Sequence, residues 1–362
     1  MEMKYNYRPA HYPSKLFNMK TRLLLPKLLL TRLLLPNLLL IALFVSANAY
    51  ASCGSSFCSV NTHWDTQGLV NDEALRVDLR YSYAKADTFR GGSAKITPEL
   101  PSGSGEEIED LRTVNQLLEL NLDYAVSAKW NIGLGLPFVM RDHTHTLDSP
   151  PAPLVQQAKF NELGDVRVAG KYKFDSEEHH AGSGMSVGIK LPTGAIDKTM
   201  TPPDPAAPAT PYALERSAQP GTGSTDLLLG AYYHNDIEDS PWGWFVSGQI
   251  QGAVKTRDEY RPGNTLNLDL GAHYPFAPTL TGLLQLNAQY KRRDSGLNAN
   301  PASGGHSLNF SPGLSYVVAP KTSLYSFVQI ALLQYANADP AIPGSGQLTA
   351  PWSFAVGVSH SY

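Results

Sequence analysis

Apolar and polar residues alternate along most of the chain, in segments separated by polar connections. In one segment Leu118 and Leu120 share a face, while Glu119 and Asn121 lie on the other. Alternation with a period of two is typical of a strand with one apolar and one polar face. About twelve such segments can be distinguished within residues 73–362, which predicts an all-β protein.

The connections between the segments distinguish a barrel from a soluble sandwich. Those after odd-numbered segments are long, such as residues 192–222, and those after even-numbered segments are short, such as residues 275–279. Long loops at one end and short turns at the other are typical of outer-membrane barrels. We therefore predict a transmembrane antiparallel β-barrel of about twelve strands over residues 73–362, embedded in outer-membrane lipid, with both termini in the periplasm.

The polar faces carry charges well inside the segments, where lipid would tolerate them poorly and a lumen would tolerate them. These charges are the lumen-facing candidates: Arg76, Asp78, Arg80, Glu119, Asp123, Asp165, Arg167, Lys171, Lys173, Lys190 and Asp269. They either pair across the strands and fill the interior or line a pore. The loop around residues 202–220, rich in Pro and Ala, either folds inward as a constriction or stays outside.

Residues 1–51 are typical of a signal peptide. Positive charge precedes an apolar run at residues 38–45, and small residues suited to cleavage follow at 47–51. A start at Met19 would give this segment an ordinary length, and Pro36 argues against a transmembrane anchor. Export from a Gram-negative cytoplasm follows, and residues 52–72 are expected to form a periplasmic N-terminal segment.

Two cysteines, Cys53 and Cys58, lie just after the expected cleavage site. In the oxidising periplasm a disulfide is the default. A metal site with His63 is the alternative, although it lacks a clear fourth ligand. Two further histidine pairs are expected in solvated connections at opposite ends of the barrel, so they cannot share an ion: His143 with His145, and His179 with His180. We expect no metal and no cofactor.

Composition narrows the function. Charged residues are 17% of the chain and the formal net charge is -3, which excludes the basic footprint of a nucleic-acid-binding protein. Ser, His and Asp are abundant, but no strand-to-helix elbow that would expose a serine is evident, so we expect no enzyme. A barrel-borne hydrolase and a structural or adhesive surface protein remain the alternatives to a channel.

Three stretches resemble a family of outer-membrane transporters linked to the MetA pathway of phenol degradation. They are the segment from Cys53 through Asn61 to Trp64, the motif GIKLPTG at residues 188–194, and the closing strand that ends at Tyr362, where Phe is commoner. The resemblance implies a barrel through which small solutes, organic or aromatic, diffuse passively. A closing strand of this kind also implies recognition by the barrel-assembly machinery.

Overall fold

The computed structural model describes residues 60–69, 74–97, 107–147, 154–174, 180–202, 212–342 and 344–362. All of them belong to one compact unit, residues 49–362. The second unit, residues 1–48, lies outside the described residues, so the signal peptide stays a prediction. None of the helical segments in the described ranges is long and apolar enough to cross a membrane.

Twelve antiparallel strands form a closed barrel, which confirms the predicted fold class. The strands are β1 (Leu75–Ala86), β2 (Glu107–Ala125), β3 (Trp130–Leu147), β4 in two pieces (Leu154–Leu163 and Arg167–Lys173), β5 (Ala181–Lys190), β6 (Thr225–Asp236), β7 (Gly243–Lys255), β8 (Thr265–Ala277), β9 (Leu280–Lys291), β10 (Gly305–Ala319), β11 (Thr322–Ala336) and β12 (Trp352–Ser361). Each strand pairs with the next along the chain, and β12 pairs with β1, with Arg76 opposite Ser361, so that no sheet edge is left open.

The barrel is apolar outside and polar inside, as in membrane barrels. On β8, Leu268 and Leu270 are about half exposed, while the alternate residues Asn267 and Asp269 face inward. Strand β11 has a sequence that is apolar on both faces. Its pairing with β10 shifts register by one residue, since Leu308 pairs with Leu333 but Asn309 pairs with Ala331.

Aromatic side chains cluster at the strand ends. Trp130 lies 5.0 Å from Tyr172, and Trp242 lies 4.9 Å from Tyr274, between ring centroids, at the end where the turns are short. At the opposite end, Tyr83 stacks on Phe354 on the neighbouring strand. Amphipathic rings prefer the two membrane–water interfaces, so these bands mark the boundaries of the lipid-facing belt. We call the two ends of the barrel the turn end and the loop end.

The loop end contains more regular structure than the sequence predicts. The expectation that His143 and His145 lie in a solvated connection is wrong, because β3 continues to Leu147 and β4 begins at Leu154. His143 and His145 are therefore buried on the inner face of β3 rather than solvated. Two small sheets also lie among the loops: Thr88–Gly91 with Ala94–Lys95 and Gln347–Thr349, and Thr199–Met200 with Tyr212–Ala213.

Candidate functional site

The chain from residue 60 to residue 69 lies inside the barrel, and we call it the lumen segment. It contains one turn of 3-10 helix, Trp64–Gln67, and a left-handed Gly68 that ends the turn. Gly68 is suited to this φ of 76° because it has no Cβ. The sequence predicts that residues 52–72 lie in the periplasm, whereas these ten residues contact the inner faces of five strands, β1, β4, β7, β9 and β11.

Backbone and side-chain hydrogen bonds attach the lumen segment to the wall. The backbone N–H of Asn61 donates to Gln285 Oε1 at 3.1 Å, and the Asn61 amide donates to Ser247 Oγ at 2.9 Å. Arg80 donates to the carbonyl oxygen of Val60 and to Thr62 Oγ1, at 3.2 and 2.7 Å. The segment is thus bound by polar contacts as well as by packing.

Trp64 is the apolar anchor of the lumen segment. Its ring lies edge-on to Tyr325 of β11 at 4.8 Å between centroids, and it packs with Phe327 and Leu283. The indole N–H donates to Asp78 Oδ2 at 3.4 Å. A buried tryptophan with a partner for its N–H gives both packing and orientation.

Asp65 gives the lumen segment a charged contact. Its carboxylate lies 3.1 Å from Lys171 Nζ on β4, and Asp123 on β2 lies 2.8 Å from the same nitrogen. Burial acts to raise the pKa of Asp65, but the Lys171 ammonium, together with His63 and Arg76, outweighs burial and holds that pKa well below its ordinary value. Gly133 on β3 makes room for this contact, because a Cβ there would lie 3.1 Å from Asp123 Oδ1.

A second charged cluster lies farther toward the loop end. Arg80 on β1 stands directly opposite Glu119 on β2 and pairs with one of its oxygens. Arg167 on β4 approaches the other oxygen of Glu119 at 3.6 Å. Arg80 and Glu119 are buried, whereas the Arg167 side chain is 49% exposed. Gly135 on β3, opposite Arg167, leaves space for the three side chains to meet.

A third cluster surrounds Lys190 at the end of β5. Its ammonium lies 2.9 Å from Asp165 and 3.2 Å from Asp226. Asp165 sits where β4 is interrupted, and it also accepts hydrogen bonds from the backbone N–H groups of Gly194 and Thr222. All three ionised groups are buried.

The motif GIKLPTG at residues 188–194 joins the two pieces of β4. Thr193 Oγ1 donates to the carbonyl oxygen of Gly164 at 2.8 Å and accepts from the backbone N–H of Val166 at 2.9 Å. Lys190 and Gly194 of the same motif both bind Asp165. The motif therefore compensates for backbone groups that the interrupted strand leaves unpaired.

The loop between β5 and β6 folds inward where it is described. Met200, Leu214 and Ala218 are buried against Ala158 and Phe160 of β4. Arg216 of the same loop lies over the ring of Tyr260, which belongs to the loop between β7 and β8, at 5.2 Å. The sequence left open whether this loop folds inward or stays outside, and its described residues fold inward.

A cavity of about 390 Å³ remains between the lumen segment and this loop. Its lining includes Thr62 of the segment, Pro220 of the loop, and residues of β1 to β8, among them Arg80 of β1 and Lys190 of β5. The inner face of β9 to β12 is filled instead by hydrogen-bonded amides and hydroxyls such as Gln285, Asn287 and Ser311. The cavity therefore lies to one side of the barrel interior, away from β9 to β12.

Seven of the eleven predicted lumen residues meet in these three clusters: Arg80, Glu119, Asp123, Asp165, Arg167, Lys171 and Lys190. Asp78 binds Trp64, and Asp269 accepts hydrogen bonds from Ser247 and Asn287. Arg76 and Lys173 are partly buried near the turn end. Asp65 and Asp226 were missed. Alternation could have found Asp226, which precedes the outward Leu227, but no strand pattern applies to Asp65.

Two further expectations concern metals and the cysteines. Within the described ranges, no group of three or more His, Cys, Asp or Glu side chains is arranged to bind a metal ion. Cys53, Cys58 and His179 lie outside those ranges, so the disulfide and its alternative stay predictions.

Comparison with known proteins adds a family and a fold. The crystal structure of the COG4313 outer membrane channel from Pseudomonas putida F1 is similar, with 12% identity, a TM-score of 0.57, and coverage of 84% of this chain and 100% of that one. The CymD monoaromatic hydrocarbon channel aligns at 12% identity and a TM-score of 0.45, over 87% of this chain and 97% of that one. No curated protein sequence matches the chain. The family described as "Putative MetA-pathway of phenol degradation" matches residues 121–337, and the chain belongs to this family.

Proposed function

We propose that the protein is an outer-membrane channel through which small solutes diffuse passively, closed at rest by the lumen segment. The observation that carries this proposal is the cavity of about 390 Å³ inside a polar-lined barrel, occluded on one side by residues 60–69. The shared fold of the Pseudomonas putida channel and the membership of the family support it. The lumen-facing residues would then line the solute pathway.

The way in which the lumen segment is bound supports a removable closure. Each of five wall groups that binds the segment also has a partner on the wall: Lys171 has Asp123, Arg80 has Glu119, Asp78 has Tyr325, Gln285 has Asn287, and Ser247 has Asp269. Losing a buried partner is costly chiefly when it leaves a polar or charged group unpaired. Departure of the segment would therefore leave no unpaired charge among these groups.

The orientation follows from the general form of such barrels. We place the turn end and both termini in the periplasm and the loop end outside the cell. The lumen segment would then enter the barrel from the periplasm, and the loop between β5 and β6 would narrow the outer mouth. The closing strand, which ends at Tyr362, would be the part that the barrel-assembly machinery recognises.

Conductance in planar bilayers tests the channel. Wild-type protein should give small or rare openings, and a variant that lacks residues 60–69 should give currents several-fold larger. Heat-modified mobility on a gel would establish that both barrels are folded. Silence of both folded proteins in the bilayer would contradict the proposal. It would favour the hydrolase or the surface protein, and loss of an activity on replacing one serine or histidine at the loop end would favour the hydrolase.

A further inference from the structure

We propose that the cavity is a binding site for small carboxylic acids with an apolar body, and that Arg167 binds the carboxylate. This inference rests on the proposed channel, whose solute class it names.

Of the five lysine and arginine side chains that line the cavity, Arg167 is the exposed one, whereas Arg80, Arg141, Lys171 and Lys190 are buried. The Arg167 side chain is 49% exposed, and its one ion pair among the described residues is with Glu119, at 3.6 Å. Glu119 is shared, since Arg80 binds its other oxygen. Two guanidinium groups on one carboxylate leave a net positive charge, and the exposed member of the pair carries donors that can still bind a ligand.

The carboxylates of the third cluster, Asp165 and Asp226, already have hydrogen-bonding and ionic partners in the protein. Asp165 binds Lys190, two N–H groups of the backbone and the Thr222 hydroxyl. Asp226 binds Lys190, Ser224 and Gln251. Both are buried. Asp165 borders the cavity, but both carboxylates are thus paired with groups of the wall, whereas the Arg167 side chain is half exposed.

A second observation is the apolar patch beside Arg167. Arg167 is opposite Gly135 on β3, and the next inward residues of that strand are Pro137 and Val139. Val139 is opposite Leu117 on β2. All of these except Gly135 line the cavity. A charged fork next to an apolar wall matches a molecule with a carboxylate at one end and a hydrocarbon body at the other.

The far wall of the cavity is different in character. Gln249, Asn267 and Asp269 line it, and Asp269 accepts hydrogen bonds from Ser247 and Asn287. This side offers neutral amides and one carboxylate, and it lacks a cation among the described lining residues of β7 and β8. A bound acid would therefore be oriented with its carboxylate toward β4.

Calorimetry on the detergent-solubilised full chain tests the site, with benzoate as the probe and benzamide as its neutral analogue. Benzoate should bind the wild type more tightly than benzamide does. Arg167→Gln should weaken benzoate binding at least about tenfold and leave benzamide unchanged, since hydrogen bonds to a charged group are lost. Arg167→Lys should recover part of the affinity.

Arg112→Gln is the matched control. The Arg112 side chain is 46% exposed, makes an ion pair at 3.3 Å with Asp142, and is not among the residues that line the cavity. The substitution Arg112→Gln removes the same charge without changing the site, so benzoate binding should be unaffected. Gel mobility would establish that each barrel is folded.

Benzoate binding by folded Arg167→Gln within about twofold of wild type would overturn the proposal. An equal loss in Arg112→Gln, or no binding to wild type, would overturn it as well. Binding does not require conduction, so the two proposals fail separately. A barrel that conducts but does not bind benzoate contradicts the site, and one that binds benzoate but never conducts contradicts the channel.

Discussion

The carboxylate of Asp65 lies 3.1 Å from the ammonium nitrogen of Lys171, and this contact joins the lumen segment to the barrel wall. Asp65→Asn should weaken the attachment and raise conductance at neutral pH. Asp123→Asn is the control, because it removes the wall partner of the same lysine and leaves the Asp65 contact in place. Equal conductance of Asp65→Asn and wild type would contradict the assignment.

The pH dependence of the closure should follow from the same carboxylate. Its pKa is lowered in the bound segment, so binding favours the ionised form. The contribution is complete above the ordinary carboxyl pKa of about 3.9 and is lost progressively as the pH falls below it. Conductance of wild type should therefore rise on acidification toward about pH 3, and the rise should be smaller in Asp65→Asn. Identical profiles would exclude Asp65 as the titrating group.

Replacement of Trp64 by alanine should release the segment without unfolding the barrel. Truncation removes its packing against Tyr325, Phe327 and Leu283, at a cost of about 3–5 kcal/mol for a buried tryptophan. The measurement is single-channel open time, with heat-modified mobility as the check on folding. A folded variant with unchanged open time would show that packing of Trp64 does not control the closure.

The barrel wall should respond to charge on one face only. Leu268 is 48% exposed on the outside of β8, and Asn267 beside it lines the cavity. Leu268→Arg should destabilise the barrel by about 2–4 kcal/mol if the residue faces the middle of the bilayer, and Asn267→Arg should cost less. Urea-induced unfolding in vesicles would measure both. Equal losses would contradict the membrane assignment.

The two cysteines should form a disulfide in the exported protein, because they lie close together in an oxidising compartment. Thiol labelling of denatured, unreduced protein should find no reactive thiol at Cys53 or Cys58. Two free thiols would contradict the pairing, and bound metal would favour the alternative site.

The alternation of side chains predicts the barrel well because lipid and lumen impose opposite requirements on successive residues. Leu268 and Asp269 satisfy the two requirements side by side. Strand limits are harder to predict. Beyond the membrane the outer face of a strand can be polar too, so the pattern fades while the hydrogen bonds between strands continue, as they do around His143 and His145.

The site is less predictable than the wall. Arg80 and Glu119 could be paired in advance because they lie on neighbouring strands with inferable register. The contact of Asp65 with Lys171 joins residues 106 positions apart through a segment that has no strand pattern. The inward fold of the loop near Leu214 depends on packing against Phe160, which a linear pattern does not reveal.

The second partners of the wall groups bear on how the protein is made. Residues 60–69 precede every described strand, so an exported chain would deliver them before the wall exists. Since Lys171, Arg80 and Asp78 have partners on other strands, the cylinder can close while it is still empty. The lumen segment, although it is made before the strands, can therefore be the last part to reach its place, and assembly need not thread the strands around an occupied centre.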